Sequence, residues 1–214
     1  MQQHKFEAGE REEWLYERRG KITGSRLKDV YSKRDPDKKK IGFYELIAER
    51  LGLPPDDDET PMERGSWLEG DAIDRFAKET GKVIDKDLIL WYRDDNESIA
   101  ISPDGVISET EAVEAKCLSS ARHIEAYLTK RIPDDYEMQA LQYFIVNDKL
   151  ETLHFVFYDP RFSFFSDPES PASKLDYFTI AITRPEVQAK VEEYLVFERK
   201  LIAEVNEIVN QLTF

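Results

Sequence analysis

The sequence predicts an α/β fold: a central mixed β-sheet flanked by helices, in one domain spanning 1–214. Three observations predict it. Residues 82–117 break into short β-branched runs separated by turn residues. Helical apolar spacing stands before that stretch and again after it. Two more strand-like runs, "ETLHFVFYD" and "LDYFTIAIT", then lead into a long amphipathic segment. With 214 residues, 41% hydrophobic and 12% aromatic, the chain can bury one sizeable core.

Leu15 to Arg19 closes a first helix, and Gly20 stops it. Ser25 reads as the N-cap of a short helix through Tyr31. "SKRDPDKKK" is a loop, "GFYELIAERLG" a short amphipathic helix ended by Gly52, and "LPPDDDET" an acidic, proline-marked loop. A long helix runs from Pro61 to Thr80 and is closed by Gly81; Trp67, Ala72, Ile73, Phe76 and Ala77 form its inner stripe. "KVIDKDLILWY", "SIAISP", "GVIS" and "AVEAKC" follow as a meander. "SSARHIEAYL" and "PDDYEMQALQYFIV" are helices, the second starting at Pro133. Arg184-Pro185 begins the last helix, whose apolar residues recur every three to four positions from Val187 to Leu212.

Bulk properties exclude several classes. The polar start and the lack of a long apolar run argue against a signal peptide and a membrane span, and so for the cytoplasm. Cys117 is the only cysteine, which leaves no internal disulfide and no cysteine-held metal. His4, His123 and His154 lack ligand spacing, and His123, beside Arg122, reads as a surface residue. No phosphate-loop motif marks an ATP motor. The net charge of −14 is unevenly spread. Residues 18–40 hold ten Lys/Arg against three Asp, a basic segment on an otherwise acidic chain.

The chemistry concentrates in residues 102–117, "SPDGVISETEAVEAKC". Side chains alternate along a strand, so Val113, Ala115 and Cys117 face a core while Glu114 and Lys116 share the other face. A three-residue loop at Ser108 to Thr110, or a bulge of equal effect, folds Asp104 back opposite Glu114. Two carboxylates that close repel unless a cation lies between them, and hard oxygen ligands select Mg²⁺ or Mn²⁺. A lysine beside the pair can orient a water and offset charge on a phosphate. This is the residue set that metal-assisted phosphodiester hydrolysis needs.

Asp104…Glu114-Ala-Lys116 with Pro103 resembles the PD-(D/E)xK nuclease signature. Six ordered blocks, "WLYERRGKITGS", "RGSWLEGDAIDRFAKETG", "SPDGVI", "VEAKC", "YEMQALQY" and "FYDPRF", resemble the viral-recombinase branch of alkaline exonucleases typified by bacteriophage lambda exonuclease. The resemblance runs from Trp14 to the last helix and implies a restriction-endonuclease-like core. It also implies that residues 1–60 form a helical, basic DNA-end-binding lobe and that residues 61–214 hold the catalytic core and C-terminal helix.

The resemblance further implies roles for individual residues. Glu69 joins Asp104, Glu114 and the Ala115 carbonyl at one or two metal ions. Lys116 is the catalytic lysine, and Gln139 stands near the nucleophilic water. Gln142 is the second choice for that glutamine, although an amphipathic pattern places it on the surface. Arg18, Ser25 and Ser102 hold the 5′-terminal phosphate, the arginine as a fork and the hydroxyls completing the pocket. Arg26, Lys28, Lys33, Arg34 and Lys38 to Lys40 are candidates for tracking the DNA backbone.

The family likeness implies a Mg²⁺-dependent exonuclease that digests one strand of duplex DNA 5′ to 3′ and releases 5′-mononucleotides. It implies a ring-shaped homotrimer, double-stranded DNA ends as substrate, and a single-strand annealing protein as partner. The signature also admits a restriction-type or RNA-directed nuclease, or a non-catalytic DNA-binding recombination scaffold.

Overall fold

The computed structural model describes residues 1–7, 9–31, 40, 42–43, 46, 62–118, 120–165, 169 and 171–213. Most of the expected helix at "GFYELIAERLG", the acidic loop, and Lys33, Arg34, Lys38 and Lys39 lie outside the described residues, as does the Trp67 side chain.

The architecture is α/β, with mixed sheet flanked by helices as the sequence predicts. The strands nevertheless fall into two sheets instead of one meander. The first joins β1 (Gln2–Phe6), β2 (Leu88–Arg93) and β3 (Asn96–Ile101), all antiparallel. The second runs in the order β4 (Gly105–Val106), β5 (Glu111–Lys116), β6 (Thr152–Tyr158) and β7 (Tyr177–Thr183). It is mixed: β5 and β6 are parallel, and the outer pairs antiparallel. The break falls at Ser102-Pro103-Asp104, where proline has no N–H to continue a ladder.

β1 is absent from the sequence expectation because only Phe6 of its five residues is buried. It carries no apolar alternation and is held by its pairing with β2, with Phe6 packed among Trp14, Leu90, Tyr92 and Ala100.

Of five helices, all but the fourth line the site. The five are α1 (Arg11–Glu17), α2 (Gly24–Val30), α3 (Met62–Thr80), α4 (Ser120–Thr129) and α5 (Glu137–Val146). Gly20 at φ 66° and Gly81 at φ 69° adopt the left-handed conformation expected of the residue past a helix end. Ser25 is not a cap. Thr23 takes that position, in extended conformation at φ −93° and ψ 166°, and Ser25 lies one residue inside α2.

The α3 residues Ala72, Ile73 and Phe76 bury one face of the second sheet against Val113, Ala115 and Val156. On the other face α5 supplies Leu141, Tyr143, Phe144 and Ile145, all buried. β5 therefore keeps the predicted alternation, with its acid–lysine face turned toward α5 (Glu137–Val146).

Three short elements stand among the described residues as well: a 3-10 segment at Asp134–Tyr136, α6 (Arg161–Phe165) and a 3-10 segment at Pro171–Asp176. Arg161 grips buried Asp159 at 2.6 and 2.8 Å and donates to the Leu118 carbonyl at 3.0 Å, tying the ends of β5 and β6 together. The last helix, α7 (Arg184–Leu212), opens on Thr183, Pro185 and Glu186. Thr183 N–H donates to Glu186 at 2.7 Å, closing a capping box. Val191, Tyr194, Leu201, Ile202 and Val205 bury its inner stripe.

Two residues expected at the surface are in the interior. His123 is fully buried, with Nε2 2.6 Å from the Leu175 carbonyl and the rings of Phe157, Phe162 and Phe178 around it. Gln142 is also fully buried, and its amide donates to the Ile22 carbonyl at 2.9 Å. In both cases a carbonyl distant in the chain meets one nitrogen of the side chain, which local amphipathic spacing cannot reveal.

Candidate active site

The β4–β5 hairpin sets the central geometry. Ser108 Oγ accepts the Thr110 and Glu111 N–H groups at 3.2 and 3.1 Å and closes a three-residue loop. Gly105 then pairs with Val113, and Val106 with Ala112. Continuing that register by one residue sets Asp104 across from Glu114, the predicted placement. A Cβ on Gly105 would lie 2.7 Å from Ile84 Cγ2, so this corner has no room for a side chain.

Glu114 is 1% exposed. Its Oε1 accepts from Lys116 Nζ at 2.5 Å and from the Gln139 amide, and its Oε2 from the Tyr143 hydroxyl. A carboxylate removed from water requires such donors. Asp104 Oδ2 accepts the Ala115 N–H at 2.8 Å.

Burial pushes the Asp104 carboxyl well above its ordinary range, and the neighbouring Glu114 pushes the same way, against Lys116. Burial likewise raises Glu69, with Lys116 opposing it and Glu114 adding to it. Burial alone would lower Lys116, but Glu114 and Asp104 outweigh it and hold the ammonium charged.

These groups line one cavity of about 950 Å³. Glu69, on α3, is half-buried in its wall with Asp104, Glu114, Lys116 and Gln139. Arg18, Ser25, Lys28 and Ser102 line the same cavity, so the end of α1, helix α2 and the end of β3 bring the expected phosphate residues to the carboxylates. Arg18 lies over the Trp14 ring at 4.4 Å. Burial and nearby Arg26 bring its guanidinium down to about 10, against the pull of Asp104 and Glu114. Ser102 Oγ is buried with no hydrogen-bond partner among the described residues. Arg26 is not in the cavity wall, and Arg34 is outside the described residues.

Gly24 shows how tightly these parts meet. A Cβ there would lie 2.2 Å from Ile101 Cδ1 and 3.1 Å from Gln139 Cγ. The start of α2 therefore rests directly on the helix that carries Gln139.

Tyr143 is a site residue that sequence reasoning missed. It stands four positions after Gln139 on one helix face, so placing Gln139 toward Glu114 already implied its direction. Tyr136, three positions before Gln139, was missed as well; Lys116 Nζ lies 4.8 Å from its ring centroid.

The donor set fits a hard divalent cation. Buried Glu114 faces half-buried Asp104 across a hairpin, a third carboxylate is in the same wall, and Glu114 adds to burial in raising both Asp104 and Glu69. Among the described residues no three His, Cys, Asp or Glu side chains converge as a ready-made metal site. The oxygens of Glu114 instead hold Lys116, Gln139 and Tyr143.

A family model described as the YqaJ-like viral recombinase domain matches residues 13–150, well over half of the chain. The chain belongs to the YqaJ-like viral recombinase domain family. The matched span contains Arg18, Ser25, Glu69, Asp104, Glu114, Lys116 and Gln139.

Among solved structures, this YqaJ-like domain is similar to an alkaline exonuclease (LHK-Exo) from Laribacter hongkongensis. The TM-score is 0.75 at 28% identity, over 94% of this chain and 98% of that one. The same protein in complex with dAMP matches with a TM-score of 0.74 at 29% identity over the same shares, 94% and 98%. A phage-related exonuclease from Haemophilus somnus 129PT shares the fold at a TM-score of 0.57 and 19% identity, over 87% and 95% of the two chains. A search of curated proteins found no match. Among the described residues no helix is long and apolar enough to cross a membrane.

Proposed function

We propose that this YqaJ-like domain is a Mg²⁺-dependent exonuclease that digests one strand of duplex DNA from its 5′ end. It releases 5′-mononucleotides and leaves a 3′ overhang for an annealing protein. The observation that carries the reading is buried Glu114, opposite Asp104 and bonded to Lys116, Gln139 and Tyr143, in one cavity with Arg18 and Ser102. The likeness to an alkaline exonuclease, and that protein's complex with dAMP, support a nucleotide product.

In this reading Asp104, Glu114 and the Ala115 carbonyl, with Glu69 from α3, hold one or two Mg²⁺ ions, with Mn²⁺ as a substitute. The bound cation would supply Lewis-acid charge to a water nucleophile and to the phosphate oxygens. Lys116 and Gln139, which share Glu114 Oε1, orient the water for in-line attack on phosphorus. The bond from phosphorus to the 3′-oxygen of the terminal nucleotide breaks, and that oxygen leaves with a proton from solvent. Tyr143 keeps Glu114 from rotating away.

At the other end of the cavity Arg18, Ser25 and Ser102 take the 5′ phosphate. The Ser102 hydroxyl supplies a donor that no described residue uses. A homotrimeric ring around DNA would let basic inner segments attract phosphates while the acidic outside repels non-specific DNA.

Digestion of linear duplexes labelled at the 5′ or the 3′ end, with Mg²⁺ or with chelator, tests this reading, with closed circular DNA as a control. Metal-dependent release of 5′ label as mononucleotide is expected, with the circle intact. A cut circle would indicate an endonuclease, and inert linear DNA a scaffold. Arg18→Ala should weaken the preference for phosphorylated over hydroxyl 5′ ends about tenfold or more, the scale of a charge-assisted hydrogen bond. Competition between the two substrates measures it, and an unchanged preference removes Arg18 from the phosphate site.

A further inference from the structure

We propose that Arg11 is a second phosphate-binding residue of the DNA-end site, taking a backbone phosphate at the cavity mouth while Arg18 takes the terminal one. The inference rests on the DNA-end reading above.

Arg11, Trp14 and Arg18 are spaced three and four apart along α1 and therefore share one helix face. All three line the cavity. The Trp14 ring, only 9% exposed, is a fixed plate that both guanidiniums approach, Arg18 at 4.4 Å and Arg11 at 5.9 Å from its centroid. Stacking on an aromatic face orients a guanidinium while leaving its edge N–H groups available to phosphate oxygens.

The two arginines have different surroundings. Arg18 is partly buried and within the field of Asp104 and Glu114. Arg11 is exposed, toward the Glu69 wall, whose carboxyl its charge draws down. The helix rise sets their Cα atoms ~10 Å apart, and the exposed Arg11 and half-buried Arg18 suit two phosphates at different depths.

Arg11 also has no competing duty. Lys86, another cation of the cavity wall, is bound to Asp74 at 2.5 Å. Among the described residues Arg11 makes no salt bridge, and its contact is the Trp14 ring. The cavity wall carries five cations (Arg11, Arg18, Lys28, Lys86 and Lys116) against five carboxylates, on a chain of net charge −14. Removing Arg11 would tip that balance negative at the place where a polyanion enters.

The test is equilibrium binding of a blunt duplex to the full chain in chelator, where turnover is absent, across a series of salt concentrations. Arg11→Ala should reduce the slope of log Kd against log salt by about one and weaken phosphorylated and hydroxyl ends alike. Arg11→Lys should restore the slope. An unchanged slope overturns the proposal, as does a loss confined to phosphorylated ends, which would make Arg11 part of the terminal pocket. A fall in turnover with unaltered binding overturns it too, since Arg11 would then act on Glu69. Wild-type chain that fails to bind duplex at all refutes the DNA-end reading itself, so the two failures are distinguishable.

Discussion

Lys116→Ala is expected to lower turnover on linear duplex by about 10²–10³-fold or more, while end binding in chelator persists. The ammonium is the one cation bonded to buried Glu114 among the described residues, and it stays charged because Glu114 and Asp104 outweigh its burial. Its removal has two consequences. The chemistry loses the group that orients water and offsets phosphate charge. The fold loses the partner of a carboxylate that is 1% exposed, and breaking such a pair costs about 3–5 kcal/mol. Gln139 and Tyr143 still donate to Glu114, which places the stability loss at the lower end of that range. Single-turnover rates, binding and thermal melting of the same variant separate the two effects. Undiminished turnover would remove Lys116 from the mechanism.

Glu198→Gln is expected to stabilise the protein, increasingly so as pH rises. Glu198, on α7, is fully buried, and burial raises its carboxyl from the ordinary 4.5 to about 8, against Gln142 and Arg93, which pull it down. Gln142 donates to it at 3.4 Å, and Arg93 is committed to Asp148 at 2.7 and 2.8 Å. Below pH 4.5 the group is protonated in both the folded and unfolded chain and contributes no pH dependence. Between 4.5 and about 8 the unfolded chain ionises while the folded one holds its proton, so stability falls as pH rises. Above that window the loss levels off at about 5 kcal/mol, from 1.36 kcal/mol per pH unit.

The amide introduced by this substitution would stay neutral throughout. It would also offer an N–H to Gln142 Oε1, which with Glu198 Oε1 is buried without a partner among the described residues. Melting temperatures of both proteins from pH 5 to 9 should diverge and then run parallel. A difference that does not vary with pH would show that Glu198 does not titrate in that window.

The hairpin that carries Asp104 and Glu114 was legible because it is local. Two strand segments joined by a three-residue loop leave one register that puts both acids on one face, and Gly105 to Val113 pairing matches it. Helix ends at Gly20 and Gly81 and the start at Arg184-Pro185 were legible for the same reason, since a cap or a missing N–H acts within a turn. What escaped depends on distant partners. β1 owes its strand geometry to β2, far along the chain, not to its own polar side chains. Gln142 and His123 are interior because carbonyls of Ile22 and Leu175 receive them. Tyr143 shares the Gln139 face of its helix, but its bond to Glu114 depends on a strand 29 residues away.

The brevity of β4 decides how Asp104 is held. Among the described residues no strand pairs with β5 before Gly105, and the N–H of Ala115 is met by a side-chain oxygen of Asp104. A longer hairpin arm would have zipped backbone to backbone there and taken that N–H for itself. Stopping the arm short of Pro103 makes the acid its own mooring at the sheet edge. Any insertion that extended pairing past that proline would cast Asp104 loose without replacing a single acidic group.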